Sequence, residues 1–127
     1  MKQQVTVKEL KEGKYVVIDD EPCMIKGISK SKPGKHGSAK ARIDAVGIFD
    51  NQKRSIVSSV SSKTYVPIVE RKSAQVLSIA GDIVQLMDLE DYSTFELKIP
   101  AEYKDRIEEG GNITYITAME QMKIDLR

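Results

Sequence analysis

The chain has 127 residues, 40% of them apolar and 31% charged, with a formal net charge of +1. That is room for one ordinary domain or two small ones in a soluble globular chain. No apolar run is long enough to span a bilayer, and the opening Met1-Lys2-Gln3-Gln4-Val5 lacks the apolar core of a signal peptide, so a cytoplasmic setting without a membrane partner is expected. One cysteine, Cys23, and one histidine, His36, exclude an intramolecular disulfide and argue against a structural zinc site.

Taken in order, Val5 and Val7 alternate with polar neighbours. Leu10 to Lys14 reads as a turn, Tyr15 to Ile18 as a strand, and Asp19 to Pro22 as a second turn. Cys23-Met24-Ile25 starts one arm of a hairpin and Lys40 to Phe49 forms its return arm. Asp50-Asn51 is a turn signal, followed by a Ser- and Val-rich strand from Arg54 to Val60. Tyr65 to Val69 is extended, because Pro67 biases Val66 away from helix. Short strands with regular turns predict a small barrel that closes its own edges and extends one hairpin beyond its body.

Glu70-Arg71-Lys72-Ser73 is polar and reads as a boundary, giving domains at 1–69 and 70–127. Beyond it, Gln75–Ile79 and Ile83–Met87 flank the turn Ala80-Gly81-Asp82. Phe95, Leu97 and Ile99 alternate with Glu96 and Lys98 as a half-buried strand. Pro100 suits a first helical position and Gly110 a C-terminal cap. Tyr103 and Ile107 would then face one core, and Glu102 and Arg106 would pair outside. Two strands follow, Ile113–Met119 and Met122–Leu126. Three strands, one short helix and two strands is the order of an OB-fold. The fold class is therefore mainly β, a small barrel and then an OB-fold.

Charge divides with the domains. Residues 1–69 hold 13 Lys and Arg against 7 Asp and Glu, and residues 70–127 hold 7 against 12. A basic half points to nucleic-acid contact there; an uneven but solvated surface would give the same totals. Lys26, Lys30, Lys32, Lys35, Lys40 and Arg42 fall between Glu21 and Asp44 with no carboxylate among them. Lys32-Pro33-Gly34-Lys35 suits a type II turn, with Pro at the second position and Gly at the third, and Gly37 permits a second bend. The hairpin tip would hold out Lys35. A nucleotide-binding loop does not fit, since His36 stands where Ser or Thr is required and no helix follows. Nucleophilic catalysis by Cys23 with His36 does not fit either: Cys23 starts an apolar strand and His36 belongs to the tip. The acid pairs Glu90-Asp91 and Glu108-Glu109 read as solvated. Tyr92, Phe95, Tyr103 and Tyr115 lie in an acidic half, so weak RNA affinity and a protein-facing surface are expected there. No catalytic and no metal-binding residues are assigned.

Lys32-Pro33-Gly34-Lys35-His36-Gly37-Ser38-Ala39-Lys40 resembles the modification loop of the translation factor 5A family in its archaeal form. Leu10 to Gly13 and Glu21-Pro22-Cys23 extend the likeness, and the second half has the right length. Eukaryotic members usually read Thr-Gly-Lys-His-Gly-His-Ala-Lys and carry a long C-terminal helix, so Pro33, Ser38 and the lack of that helix imply an archaeal source. The resemblance implies an SH3-like barrel followed by an OB-fold. It implies that Lys35 becomes hypusine or deoxyhypusine by aminobutyl transfer from spermidine, with deoxyhypusine synthase as the modifying partner. Pro33, Gly34, His36 and Gly37 would support that modification, and no separate cofactor is needed. It further implies a ribosome-binding translation factor, not an enzyme, whose modified arm reaches the acceptor end of peptidyl-tRNA near the peptidyl-transferase centre. There it assists bond formation at proline runs and termination. Lys30, Lys32, Lys40 and Arg42 are then candidates for contacts with rRNA phosphates, beside ribosomal proteins as partners. The other reading is an RNA-binding module whose basic hairpin works unmodified.

Overall fold

Short strands joined by tight turns make up most of the chain in the computed structural model, which describes residues 2–31 and 39–126. Two units result, Met1–Ile68 and Val69–Arg127. The first contains β1 (Lys2–Thr6), β2 (Tyr15–Ile18), β3 (Glu21–Ser31), β4 (Lys40–Gly47), β5 (Lys53–Ser59) and β6 (Lys63–Pro67). Strands β2-β3-β4-β5 form one antiparallel sheet and β1-β6 a two-stranded ribbon, together an SH3-like half-barrel where a barrel closing its own edges was expected. Period-two patterning sets the inner face: Ala41, Ile43 and Ala45 of β4 are buried while Lys40 and Arg42 are exposed. They pack with Val16, Ile18, Cys23 and Ile25 into a closed apolar cluster.

Strand β3 carries a bulge. Ile25 pairs with Ala45 and Gly27 with Asp44, so Lys26 has no opposite residue. The extra residue changes the parity of the strand. Cys23 and Ile25 face the core before it, and Ile28 packs on the core after it. Ahead of β2, a 3-10 turn at Val7–Glu9 buries Val7, where only alternating extended chain was expected. The Thr6-x-x-Glu9 spacing explains it, for the Glu9 carboxylate accepts the Thr6 N–H at 2.7 Å and its hydroxyl at 2.9 Å.

The second unit contains β7 (Glu70–Ala80), β8 (Ile83–Asp88), β9 (Thr94–Lys98), β10 (Asn112–Ala118) and β11 (Gln121–Ile124). Their order is β11-β10-β7-β8-β9, with β11 returning towards β9, a nearly closed OB-fold barrel. Val76, Val84, Leu86, Ile113 and Ile124 fill it. A two-residue turn joins β7 to β8, with Gly81 at φ +64. Two expectations change here. The polar stretch Glu70–Ser73 is strand, paired with Thr114 to Thr117 of β10, because its backbone completes the ladder whatever its side chains. The helix after Pro100 is only a 3-10 turn at Ala101–Tyr103. Tyr103 and Ile107 still reach the core, but Arg106 lies over the Tyr103 ring, 5.6 Å from its centre, instead of pairing with Glu102.

Candidate nucleic-acid interface

The β3–β4 hairpin is anchored at its root and stiffened near its far end. At the root, Asp50 closes the β4–β5 turn by accepting the Gln52 N–H at 3.0 Å. Arg54 grips the same carboxylate through two bonds, at 3.1 and 2.8 Å. Those bonds, Arg54 first and Gln52 second, hold the Asp50 carboxyl down at about 2. Gly47 leaves room for them: a Cβ there would lie 1.9 Å from Asp50 Oδ1 and 2.9 Å from Arg54 Nη1. At the far end, the described ladder stops at the pair Ser31 and Lys40. The next residue, Ala39, accepts the Val60 N–H at 3.0 Å, and the Val60 carbonyl accepts the Lys8 N–H at 3.0 Å. The 3-10 turn, the end of β5 and the stem of β4 are thus tied together by main-chain bonds.

Lys32, Pro33, Gly34, Lys35, His36 and Gly37, with the two turns expected among them, lie outside the described residues. The other three cationic candidates are described and do not form one set. Lys40 and Arg42 occupy alternate positions of β4 on its outward face, whereas Lys30 pairs with Ala41 on the opposite face. Lys30 is nonetheless exposed, because the apolar core ends at Ala41. Arg42 is engaged: its Nε donates to Asp44 at 3.2 Å, and Ser55 donates to the same oxygen at 2.5 Å. These two donors, Ser55 foremost, lower the Asp44 carboxyl from its ordinary value. Lys30 and Lys40 make no ion pair among the described residues.

Sequence reasoning missed the neighbours of this cationic line. Opposite Lys40 stand Ser31 and Ser59, opposite Arg42 stand Ser29 and Val57, and opposite Asp44 stand Gly27 and Ser55. The flanking side chains are short, so the β4 cations project from an outward face lined by hydroxyls. Val57 is 63% exposed on it. The signal was present as Ser29, Ser31, Ser55 and Ser59, each pair at one parity. Hydroxyls and cations in rows suit sugar and phosphate, which position a nucleic acid without reading its sequence.

Several of the remaining candidates have structural duties. Cys23 is buried at the root, where burial raises its thiol pKa and Arg54 acts in the opposing sense, so it is a poor nucleophile. Glu109 accepts the Ile79 N–H at 3.1 Å. Of the aromatics in the second unit, Tyr115 is buried, donating to Asp88 and lying 5.0 Å from the Phe95 ring centre. Burial first, and that bond second, raise the Tyr115 pKa. Among the described residues no helix is long and apolar enough to cross a membrane.

Both units match known families. Residues 3–64 match the family described as "Translation initiation factor 5A-like, N-terminal". Residues 68–125 match "Eukaryotic elongation factor 5A hypusine, DNA-binding OB fold". The chain is 78% identical over 127 residues, the whole of both chains, to translation initiation factor 5A of Methanococcoides burtonii. It is 63% identical over 125 residues, 98% of each chain, to that of Archaeoglobus fulgidus. A solved structure, eukaryotic translation initiation factor 5A from Methanococcus jannaschii, superposes with a TM-score of 0.89 at 51% identity, over 98% of this chain and 93% of that one. A family protein from Naegleria fowleri follows at 0.80 and 38% identity, over 98% and 96%. Family matches that together span both units, with full-length identity this high, place this chain in the translation initiation factor 5A family.

Proposed function

We propose that the chain is a ribosome-binding translation factor that works through a modified Lys35. The reading is supported by an anchored hairpin whose arms, paired up to Ser31 and Lys40, flank the segment Lys-Pro-Gly-Lys-His-Gly. Deoxyhypusine synthase transfers an aminobutyl group from spermidine to the Lys35 amine, giving deoxyhypusine or, after hydroxylation, hypusine. The arm gains roughly 6 Å of reach and a second basic nitrogen. Gly34 and Gly37 leave clearance for the modifying enzyme, and Pro33 and His36 shape the approach. A long thin dication enters between nucleotides where a loop backbone does not fit, and bonds phosphates and 2′-hydroxyls at the acceptor end of peptidyl-tRNA. Holding that end in a reactive geometry lowers an entropic barrier without supplying an acid or base. The factor therefore assists peptide-bond formation at proline runs, and termination, in the cytoplasm without itself being an enzyme.

Lys40 and Arg42, on the hydroxyl-lined face of β4, contact rRNA or tRNA phosphates together with Lys32, and Lys30 does so from the other face. Intact mass of the protein purified from its native host tests the reading. An added aminobutyl group, with or without one oxygen, is the expected result. Uniformly unmodified protein active in proline-run synthesis would leave the basic hairpin acting alone.

A further inference from the structure

Tyr92 is the most exposed large apolar side chain among the described residues, 69% accessible, and its backbone sits at φ +62. Bulky residues rarely adopt that conformation. It belongs to the β8–β9 loop, which main-chain and carboxylate bonds hold at every step. The Tyr92 N–H donates to the Asp88 carbonyl at 2.9 Å, and the Asp88 N–H to the Ser93 carbonyl at 2.8 Å. Asp88 Oδ1 accepts the N–H of Glu90 at 2.7 Å and of Asp91 at 3.1 Å. Asp91 in turn accepts the Ser93 N–H at 2.9 Å and its hydroxyl at 2.7 Å. A loop so held has little freedom left to lose on binding.

Single exposed apolar side chains need no explanation. Here two stand in one short turn, since Leu89 is 38% exposed and lines a groove of about 420 Å³ beside the loop. The cations of that groove have opposite charges nearby: Arg71 lies 3.5 Å from the Asp125 carboxylate, and Lys72 acts on Asp88 and Asp91 through its charge. The carboxylates of Asp88 and Asp91 are themselves engaged, whereas that of Glu90 accepts no hydrogen bond from the described residues. The surrounding half of the chain is acidic, 12 Asp and Glu against 7 Lys and Arg.

We propose that Tyr92, Leu89 and Glu90 form a docking surface for an arginine-bearing segment of a partner protein. The guanidinium lies on the Tyr92 ring, where the ring's negative face attracts it. Its N–H fork reaches the Glu90 carboxylate, and its methylene stem covers Leu89. A nucleic acid stacked on the same ring would bring its phosphates beside Glu90 and Asp91, which the local charge opposes.

Amide NMR spectra of the full chain test this, with the probe acetyl-Gly-Arg-Gly-Arg-Gly-amide, its citrulline counterpart and oligouridylate. The arginine peptide should shift the amides of residues 89–93 saturably, and citrulline, which has the shape without the charge, should not. Tyr92→Ala and Glu90→Gln should each weaken binding about fivefold, while Tyr92→Phe should retain it. Should Tyr92→Ala disturb the loop itself, Glu90→Gln and Tyr92→Phe, both changes of exposed groups, still decide the matter. Binding unchanged by Glu90→Gln, binding lost in Tyr92→Phe, shifts spread over the other acidic residues, or a response to oligouridylate alone would each overturn the proposal.

Discussion

Asp50 gathers more of the hairpin's root than any neighbour, and its titration makes that measurable. Its carboxyl is held at about 2 in the fold against an ordinary 3.8. A depressed carboxylate stabilises the fold fully above its unfolded pKa and loses that contribution as pH falls through the folded one. The urea midpoints of the parent and Asp50→Asn should therefore differ by a constant amount above about pH 5, and converge between about pH 4 and pH 2. A gap that persists unchanged to the acid end would show that Asp50 acts by shape, not charge. Gly47→Ala tests the same lock sterically. Its Cβ would meet Asp50 Oδ1 at 1.9 Å, so the carboxylate must swing aside and release Gln52 and Arg54, at a cost of about 2 kcal/mol. That loss should appear as a lower urea midpoint at unchanged slope.

Turns show where sequence reading succeeded and where it ran out. The Asp19-Asp20 and Gly81-Asp82 turns were legible because Asp and Gly tolerate positive φ, as the angles of 53, 61 and 64° at Asp19, Asp20 and Gly81 bear out. The β10–β11 turn was legible only as a gap, for Met119 and Glu120 sit at φ 48 and 66° with neither residue suited to it. Pairing of the flanking strands imposes that conformation. Met119→Asn with Glu120→Gly should relieve it and raise stability by about 1 kcal/mol, read as a thermal midpoint higher by a few degrees. The same limit explains Glu70–Ser73, whose polar composition read only as a boundary while its backbone was claimed by β10. The site was legible in part. The cations of the hairpin announced themselves by the missing acids, but which face each occupied depended on the Lys26 bulge. One unpaired residue moves Lys30 away from Lys40 and Arg42; Gly27 beside it, a glycine inside a strand, is the local signal of such a bulge that went unread.

The unequal charge of the two halves sets expectations for the whole molecule. Lys30→Ala with Lys40→Ala should weaken ribosome binding and flatten its salt dependence by about one unit of log–log slope for each phosphate left unneutralised. Neutralising Lys104 and Lys123 should change that slope little. Equal effects from the two pairs, in titrations against salt, would assign the second half more RNA contact than its charge implies. Lys35→Arg should leave the melting temperature nearly unchanged, since it keeps the charge and most of the length of the side chain. It should abolish proline-run synthesis, because Arg does not accept the aminobutyl group. The bulge also limits how such a chain can change length during evolution. Were Lys26 drawn into the ladder, unbroken alternation would turn Ile28 outward and Ser29 and Ser31 towards the core side of the sheet. Deleting Lys26 would instead leave every later residue of β3 on its present face. Elsewhere in either arm, a step of one residue inverts the faces beyond it, whereas a step of two preserves them. Within the paired arms, length therefore changes in even increments, and an odd one survives only where a bulge appears or vanishes with it.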